Sequence, residues 1–304
     1  MARRSALALC LVFAACTPLK IVGDNLASLG RAPRPVPNKI VHPERPDARL
    51  VVTWVGHATV LLQMDDVYLL TDPVFTSTIG QITKRLVEPG LDVDSLPTID
   101  AVLVSHMHFD HLSLGSLDMI ENKTRRLFVP TGGLVYIPNF GFETRELATW
   151  ETWEKGGLRI TAVPVKHLGF RYGADGAWMT KSYTGYVVEY HGLTVYFGGD
   201  TAYNQGFAQA HARFSSIDLA LLPISPIHPR SFMQAVHVDP HEATQAFLDL
   251  GARVMVPIHF DTFVNGADAP GEARALLAEE ARAHGLGPDS VAILQIGEQR
   301  VVVE

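Results

Sequence analysis

Cysteine is nearly missing from this chain. There are two in 304 residues, Cys10 and Cys16, and both lie near the start. The rest of the chain can form no disulfide and offers no thiolate, so any metal must be held by nitrogen and oxygen. Positive charge is short as well: 25 Lys and Arg stand against 32 Asp and Glu, a formal net charge of −7. That balance disfavours a nucleic-acid partner, which usually demands a basic face. Charged residues of all kinds make up only 19% and hydrophobic ones 47%, which excludes bulk disorder and supplies a sizeable core. No Gly-x-Ser-x-Gly elbow, Walker-type loop or dinucleotide fingerprint occurs, so neither a serine nucleophile nor a nucleotide cradle is expected.

The first residues read as a targeting segment. Arg3 and Arg4 precede the apolar run Ala6–Ala15, whose ten residues are too few to span a bilayer as a helix. Phe13-Ala14-Ala15-Cys16 resembles a bacterial lipoprotein processing site, which implies lipidation at Cys16 and an exported, periplasmic or outer-membrane-tethered protein. Removal of Arg3 and Arg4 would leave 23 basic against 32 acidic residues, net −9. Residues 17–49 carry Pro33, Pro35, Pro37, Pro43 and Pro46, a density that suggests an extended, solvated linker. Residues 50–304 have the composition of one folded domain.

Within that domain, short apolar runs bounded by Gly, Pro, Asp or Asn read as strands. They are Leu50–Val55, Thr59–Gln63, Val67–Thr71, Ala101–Val104, Leu158–Val163, Gly185–Tyr190, Leu193–Phe197, Leu219–Leu222, Arg253–Pro257 and Val291–Gln295. Helical spacing appears at Leu114–Glu121, Pro240–Leu250 and Ala273–His284. Asp239 before Pro240, with Glu242 behind it, is a strong helix start. The class is therefore α/β, two sheets with helices outside.

One segment carries the chemistry: Ser105-His106-Met107-His108-Phe109-Asp110-His111, directly after a strand. Imidazole and carboxylate are the ligand set for zinc, manganese or iron. Period-two alternation can aim His106 and His108 the same way, while Asp110 and His111 lie past the strand, where they can face a second ion. Three more candidates also follow strands: His167, Asp200 and His259. A ligand at the end of a rigid strand is how a fold fixes coordination geometry.

His-x-His-x-Asp-His, then a His, an Asp in Gly-Asp-Thr and a late His resembles the metallo-β-lactamase superfamily pattern. The resemblance implies an αββα sandwich with two metals at one edge between the sheets. His106, His108 and His167 would hold one, Asp110, His111 and His259 the other, and Asp200 would bridge them. Several further segments look like the branch of phospholipases D that hydrolyse N-acylphosphatidylethanolamine. They are Thr53 to Val60, Leu70-Thr71-Asp72-Pro73, Gly199 to Tyr203, Pro229 to Met233 and His237 to Pro240. Relatives similar to ascorbate-phosphate lactonases share part of this pattern. Leu168–Tyr183, beside His167, does not match it.

The reaction implied is phosphodiester hydrolysis of a glycerophospholipid at a membrane surface, by a hydroxide bridging two divalent ions, most simply zinc. Asp110 would orient the hydroxide, His237 would meet the substrate phosphate and Arg230 could pair with it. Asp72 and His57 would support the ligands through hydrogen bonds. Blander roles stay open: Asp72 and His57 as turn residues, His237 as a helix-entry residue, Arg230 as a surface charge. The competing reading is a lactonase or other small-ester or amide hydrolase on the same metals. A diiron oxidoreductase is disfavoured, because such proteins carry a carboxylate where this chain has His108. His42, His191, His211, His228, His241 and His284 have no supporting pattern and read as surface.

Overall fold

Side chains along a strand face alternate sides of a sheet, and the first half of the chain exploits both sides. The computed structural model describes residues 20–28, 30–80, 83–214 and 216–304. Its first sheet contains β1 (Leu50–Gly56), β2 (Thr59–Met64), β3 (Val67–Thr71), β6 (Ala101–Leu103), β7 (Arg126–Pro130), β8 (Glu143–Leu147) and β15 (Gln299–Val303). Their order is β15-β1-β2-β3-β6-β7-β8. Val60, Leu62, Leu69, Leu103 and Phe128 point inward to the core shared with the second sheet. Their neighbours Leu61, Leu70, Val102, Leu127 and Val129 point outward, onto a second cluster with Leu96, Leu117 and Ile120. Near-continuous apolar runs are what a sheet covered on both faces demands.

The second sheet runs β14-β13-β12-β11-β10-β9. Its strands are β9 (Thr152–Lys155), β10 (Leu158–Val163), β11 (Gly185–Tyr190), β12 (Leu193–Phe197), β13 (Ile217–Pro223) and β14 (Ala252–Ile258). A short pair, β4 (Thr78–Ile79) and β5 (Thr83–Lys84), stands apart. Helix α1 (Leu114–Met119) covers the outer face of the first sheet. The others are α2 (Gly206–Arg213), α3 (Arg230–Met233), α4 (Pro240–Leu250) and α5 (Glu272–Ala283). Helix α4 begins as its sequence predicts: the Asp239 carboxylate accepts from the Glu242 N–H at 2.9 Å and Pro240 opens the first turn. It buries Ala243, Ala246, Phe247 and Leu250 in the main core, together with Leu277 of α5. The result is the α/β fold of two stacked sheets expected from the sequence.

Two expectations need correction. Val291–Gln295 is not a strand; Val291 makes one bridge to Met255, and the chain then leaves the sheet edge. The proline-rich segment is largely exposed over residues 30–49, but it is tied to the domain rather than standing free of it. Arg34 forms a bridge with Val87. Gln63 exchanges hydrogen bonds with the Arg45 backbone at 2.8 and 2.7 Å, and Gln299 Nε2 donates to the Pro43 carbonyl at 2.7 Å. Residues 20–28, helical, also dock on the domain, with Asn25 Nδ2 donating to the Val264 carbonyl at 3.1 Å. The apolar run and Cys16 lie outside the described residues. Among the described residues no helix is long and apolar enough to cross a membrane.

Candidate metal centre

Six strand ends converge at one edge of the sandwich. The β1–β2 turn delivers His57, β3 delivers Asp72, and β6 leads into Ser105 to His111. His167 follows β10, Asp200 follows β12, and His259 follows β14. Several of these residues turn sharply: His57, Asp72 and His259 have φ of 55°, 31° and 67°. Such left-handed non-glycine backbone is uncommon and gathers at functional sites. Gly199, at φ 56°, brings the β12 end against the β6 end so closely that a Cβ there would lie 2.3 Å from Ser105 Cβ.

The side chains form two groups around Asp200. In the first, His108 Nδ1 lies 2.8 Å from His106 Nε2 and 3.4 Å from His167 Nε2. In the second, His111 Nε2 and His259 Nε2 are 3.2 Å apart, and each lies 3.6 Å from Asp110 Oδ2. Asp200 Oδ2 sits between the groups, 3.2 and 3.1 Å from His111 and His259 Nε2 and 4.0 and 3.8 Å from His106 and His167 Nε2. All seven sequence candidates are thus brought together. Most of the cluster is buried, and it reaches solvent at His108, Asp110 and His237.

The imidazoles are oriented from behind. His167 Nδ1 lies 2.8 Å from the Val236 carbonyl and His259 Nδ1 2.9 Å from the Ser225 carbonyl. A carbonyl only accepts, so Nδ1 of each ring carries a proton and Nε2 is the atom that faces inward. His111 Nδ1 is 2.6 Å from Asp72 Oδ2, the carboxylate-behind-imidazole arrangement common at metal sites. Asp72 therefore serves His111, and Ser105 secures Asp72 in turn through its N–H at 2.7 Å and its hydroxyl at 2.6 Å. His57 instead meets a carboxylate, with Nε2 3.1 Å from Asp110 Oδ2.

The electrostatics suit a cation. Burial pushes His57 down to about 3 and His167 down to about 4, and depresses His106, His108 and His237, so these rings are neutral with lone pairs available. Burial also opposes charge on His111 and His259, yet the Asp200 and Asp110 carboxylates outweigh it, lifting His259 to about 9 and His111 well above its ordinary value. Excess negative potential that draws protons onto two imidazoles is what a bound cation would satisfy. Asp200 Oδ1 and His237 Nδ1 are buried without a hydrogen-bond partner. Buried polar atoms normally have one, so these orphans and the all-N/O donor set fit a metal site.

Other candidates are placed differently. His237 Nδ1 stands 3.8 Å from Asp200 Oδ2, at the mouth. Arg230 is not free for a substrate: it pairs with Asp239 at 3.0 Å and with Glu242, and donates to the His237 carbonyl at 2.9 Å. Its guanidinium is occupied in fixing the His237 backbone. Of the six histidines read as surface, His228 is half-buried and lies 2.9 Å from Glu272, while the others are exposed. Sequence reasoning missed Ser105 and Arg171. Arg171 is buried and donates to the Met107 and Leu112 carbonyls at 3.0 and 2.8 Å, with its guanidinium 4.2 Å from the Phe109 ring. It locks the ligand-bearing segment to the loop Leu168–Tyr183.

Comparison with known proteins agrees with this geometry. The model of the family described as a beta-lactamase superfamily domain matches residues 68–260. The chain is 33% identical over 251 residues to N-acyl-phosphatidylethanolamine-hydrolyzing phospholipase D 1 of Caenorhabditis elegans, covering 76% of this chain and 69% of the relative. It is 32% identical over 215 residues to a metal-dependent hydrolase of an Exiguobacterium species, covering 70% and 86%. An isothiocyanate hydrolase from Delia radicum gut bacteria shares the fold, at TM-score 0.65 and 20% identity, covering 82% of this chain and 98% of that one.

Proposed function

Because the chain belongs to the β-lactamase superfamily and is a metal-dependent hydrolase, we propose that it uses two metal ions as a phosphodiesterase of phospholipase D type. Its substrates would be glycerophospholipids resembling N-acylphosphatidylethanolamine. The observation that carries the two-metal reading is Asp200 Oδ2, poised between two separate histidine groups. The phosphodiester part is supported by the likeness to the Caenorhabditis elegans phospholipase.

His106, His108 and His167 would hold one ion, Asp110, His111 and His259 the other, with Asp200 shared. Nitrogen and oxygen donors of this kind suit zinc. When bound, such ions lower the pKa of water and neutralise charge on phosphoryl oxygens. Asp110, partly exposed to the cleft and steadied by His57, would orient the attacking water. His237, neutral because burial depresses it, would offer an N–H to a phosphoryl oxygen from the mouth. Its backbone is fixed by Arg230, so the ring is positioned before substrate arrives.

A second reading, hydrolysis of a lactone or other small substrate, draws support from the loop Leu168–Tyr183. Phe170 packs 4.9 Å from the His108 ring and narrows the space beside the first group. Zinc-loaded protein assayed against N-acylphosphatidylethanolamine, phosphatidylcholine, lactones and a β-lactam decides between them. Release of N-acylethanolamine and phosphatidate is expected. Turnover confined to lactones overturns the phospholipase reading and leaves the metal centre standing.

A further inference from the structure

Behind His259 lies a cavity of roughly 860 Å³ that none of the seven candidate ligands lines. It is a half-open cleft between the docked N-terminal segment and the chain from Phe260 to Arg274. The segment is fastened there by Asn25 to the Val264 carbonyl at 3.1 Å and by Lys20 to the Ala267 carbonyl at 3.2 Å. Arg34 joins the ladder beneath, its N–H donating to the Leu86 carbonyl and its carbonyl accepting from Glu88, both at 2.9 Å. Leu86 in turn donates to the Thr262 carbonyl at 2.9 Å, and Arg85 bridges to Phe263. Arg34, Arg85 and Phe263 therefore stand on three adjacent backbone runs that build one wall.

The lining has cations to spare. Arg31, Arg34, Arg85 and Arg274 line it, and none has a carboxylate partner among the described residues. Elsewhere in this acidic chain arginines are commonly paired, as in Arg45–Asp47, Arg49–Asp65 and Arg126–Glu143. Arg85 is 2% exposed and, among the described residues, donates only to carbonyls, those of Val74, Thr76 and Val87, with its guanidinium 4.9 Å from the Phe263 ring. A buried charge without a counter-ion is costly. Three carboxylates, Asp24, Asp261 and Asp268, line the cavity as well, fewer than its five cations, Lys20 included, and each is held by another group. Asp268 accepts from the Ser225 hydroxyl and from the Ile227 and His228 N–H groups, Asp261 accepts from Gly271, and Asp24 pairs with Lys20.

We propose that this cavity is a binding site for a phosphate group, carried either as the free anion or as the headgroup of an anionic phospholipid. A phosphate monoester bears nearly two negative charges and three acceptor oxygens, which several guanidinium forks match better than one carboxylate can. Phe263 and Leu86 give the wall an apolar stretch that a hydrocarbon chain can follow. The occupant would also touch the backing of His259. Asn265 lines the cavity with Nδ2 3.4 Å from His259 Nδ1, and Ser225, whose carbonyl meets that ring, lines it too.

The test is calorimetric titration of the full chain at pH 7 with inorganic phosphate, dioctanoyl phosphatidate and octanoate. Three proteins are compared: wild type, Asp200→Asn, and the double variant Arg34→Ala/Arg274→Ala, which changes exposed side chains only. Phosphate is expected to bind wild type and Asp200→Asn alike and the double variant at least tenfold more weakly. In Asp200→Asn, where product binding at the metal centre is removed, phosphatidate binding tenfold tighter than phosphate assigns a lipid headgroup; equal affinities assign the free anion. Loss of binding in Asp200→Asn would place the phosphate on the metal centre and overturn the proposal. So would equal affinity in the double variant, octanoate binding as tightly as phosphate, or no binding at 10-fold molar excess over millimolar protein.

Discussion

At the scale of single residues the centre depends most on Asp200, whose Oδ2 lies within 4.0 Å of four ligand imidazoles. Asp200→Asn removes the charge that serves both groups, so kcat is expected to fall by several orders of magnitude with loss of bound metal. Elemental analysis after gel filtration reads the metal, and near-wild-type turnover at unchanged metal content would show that the cluster is not catalytic. Asp72→Asn is a gentler probe. It keeps the shape but weakens the acceptor behind His111, and such changes typically cost roughly 10–100-fold in metal affinity. The seven candidate ligands stand out in the sequence because imidazole and carboxylate repeat at strand ends, a pattern that chance seldom makes. Ser105 could not be singled out. A serine before a histidine is ordinary, and its grip on Asp72 exists only once β3 and β6 lie side by side. Arg230 misled for a related reason: its partners Asp239 and Glu242 sit on the next helix start, and sequence alone does not show that they fold back onto it.

Among the secondary elements, three of the strands that the sequence hides share a position, while β7, an interior strand with a buried apolar run, goes unmarked without that reason. β8, β9 and β15 are edge strands, and Glu143–Leu147 reads ETREL with only its last residue buried. Edge strands carry charge to resist pairing with other chains, so they lack the apolar run that marks a central strand. The interior strands β3, β10, β11 and β12 stand where their hydrophobic runs place them. What aligns the two sheets at the centre is the close passage of Gly199 by Ser105. Gly199→Ala should combine a Cβ clash with a left-handed backbone that alanine disfavours, at a cost of about 3 kcal/mol. Urea unfolding of the metal-free protein measures it. A loss below the error of the fit would mean that the β12 end can move away without penalty. In α4, Asp239→Ala should cost about 1 kcal/mol through the lost N-cap. Because Asp239 also pairs with Arg230, turnover should drop together with stability. Restored stability in Asp239→Asn without restored turnover would separate the cap from the ion pair.

For the whole molecule, the N-terminal segment bears on where the protein works. The segment around Cys16 resembles a lipoprotein processing site, and lipidation there would place the domain at a membrane surface. The docked N-terminal segment changes the geometry of such a tether. From Lys20 onward the chain is held to the domain, so only three residues, Thr17 to Leu19, separate an anchor at Cys16 from the folded body. The four residue-to-residue steps from Cys16 to Lys20 reach about 14 Å at most, far less than a free proline spacer over residues 17–49 would allow. An anchor so short would keep the cavity that Lys20 lines close to the lipid headgroups. Stable tethering needs more than one acyl chain, because each buried methylene contributes only about 0.8 kcal/mol. The wild type is therefore expected in the membrane fraction with a mass that includes several acyl chains, and Cys16→Ser in the soluble fraction. A soluble wild type of unlipidated mass would sink the anchor. The metal centre would be untouched by that result, since no ligand lies before His106. The phosphate cavity would then have to draw its occupant from solution, and free phosphate should match phosphatidate in affinity.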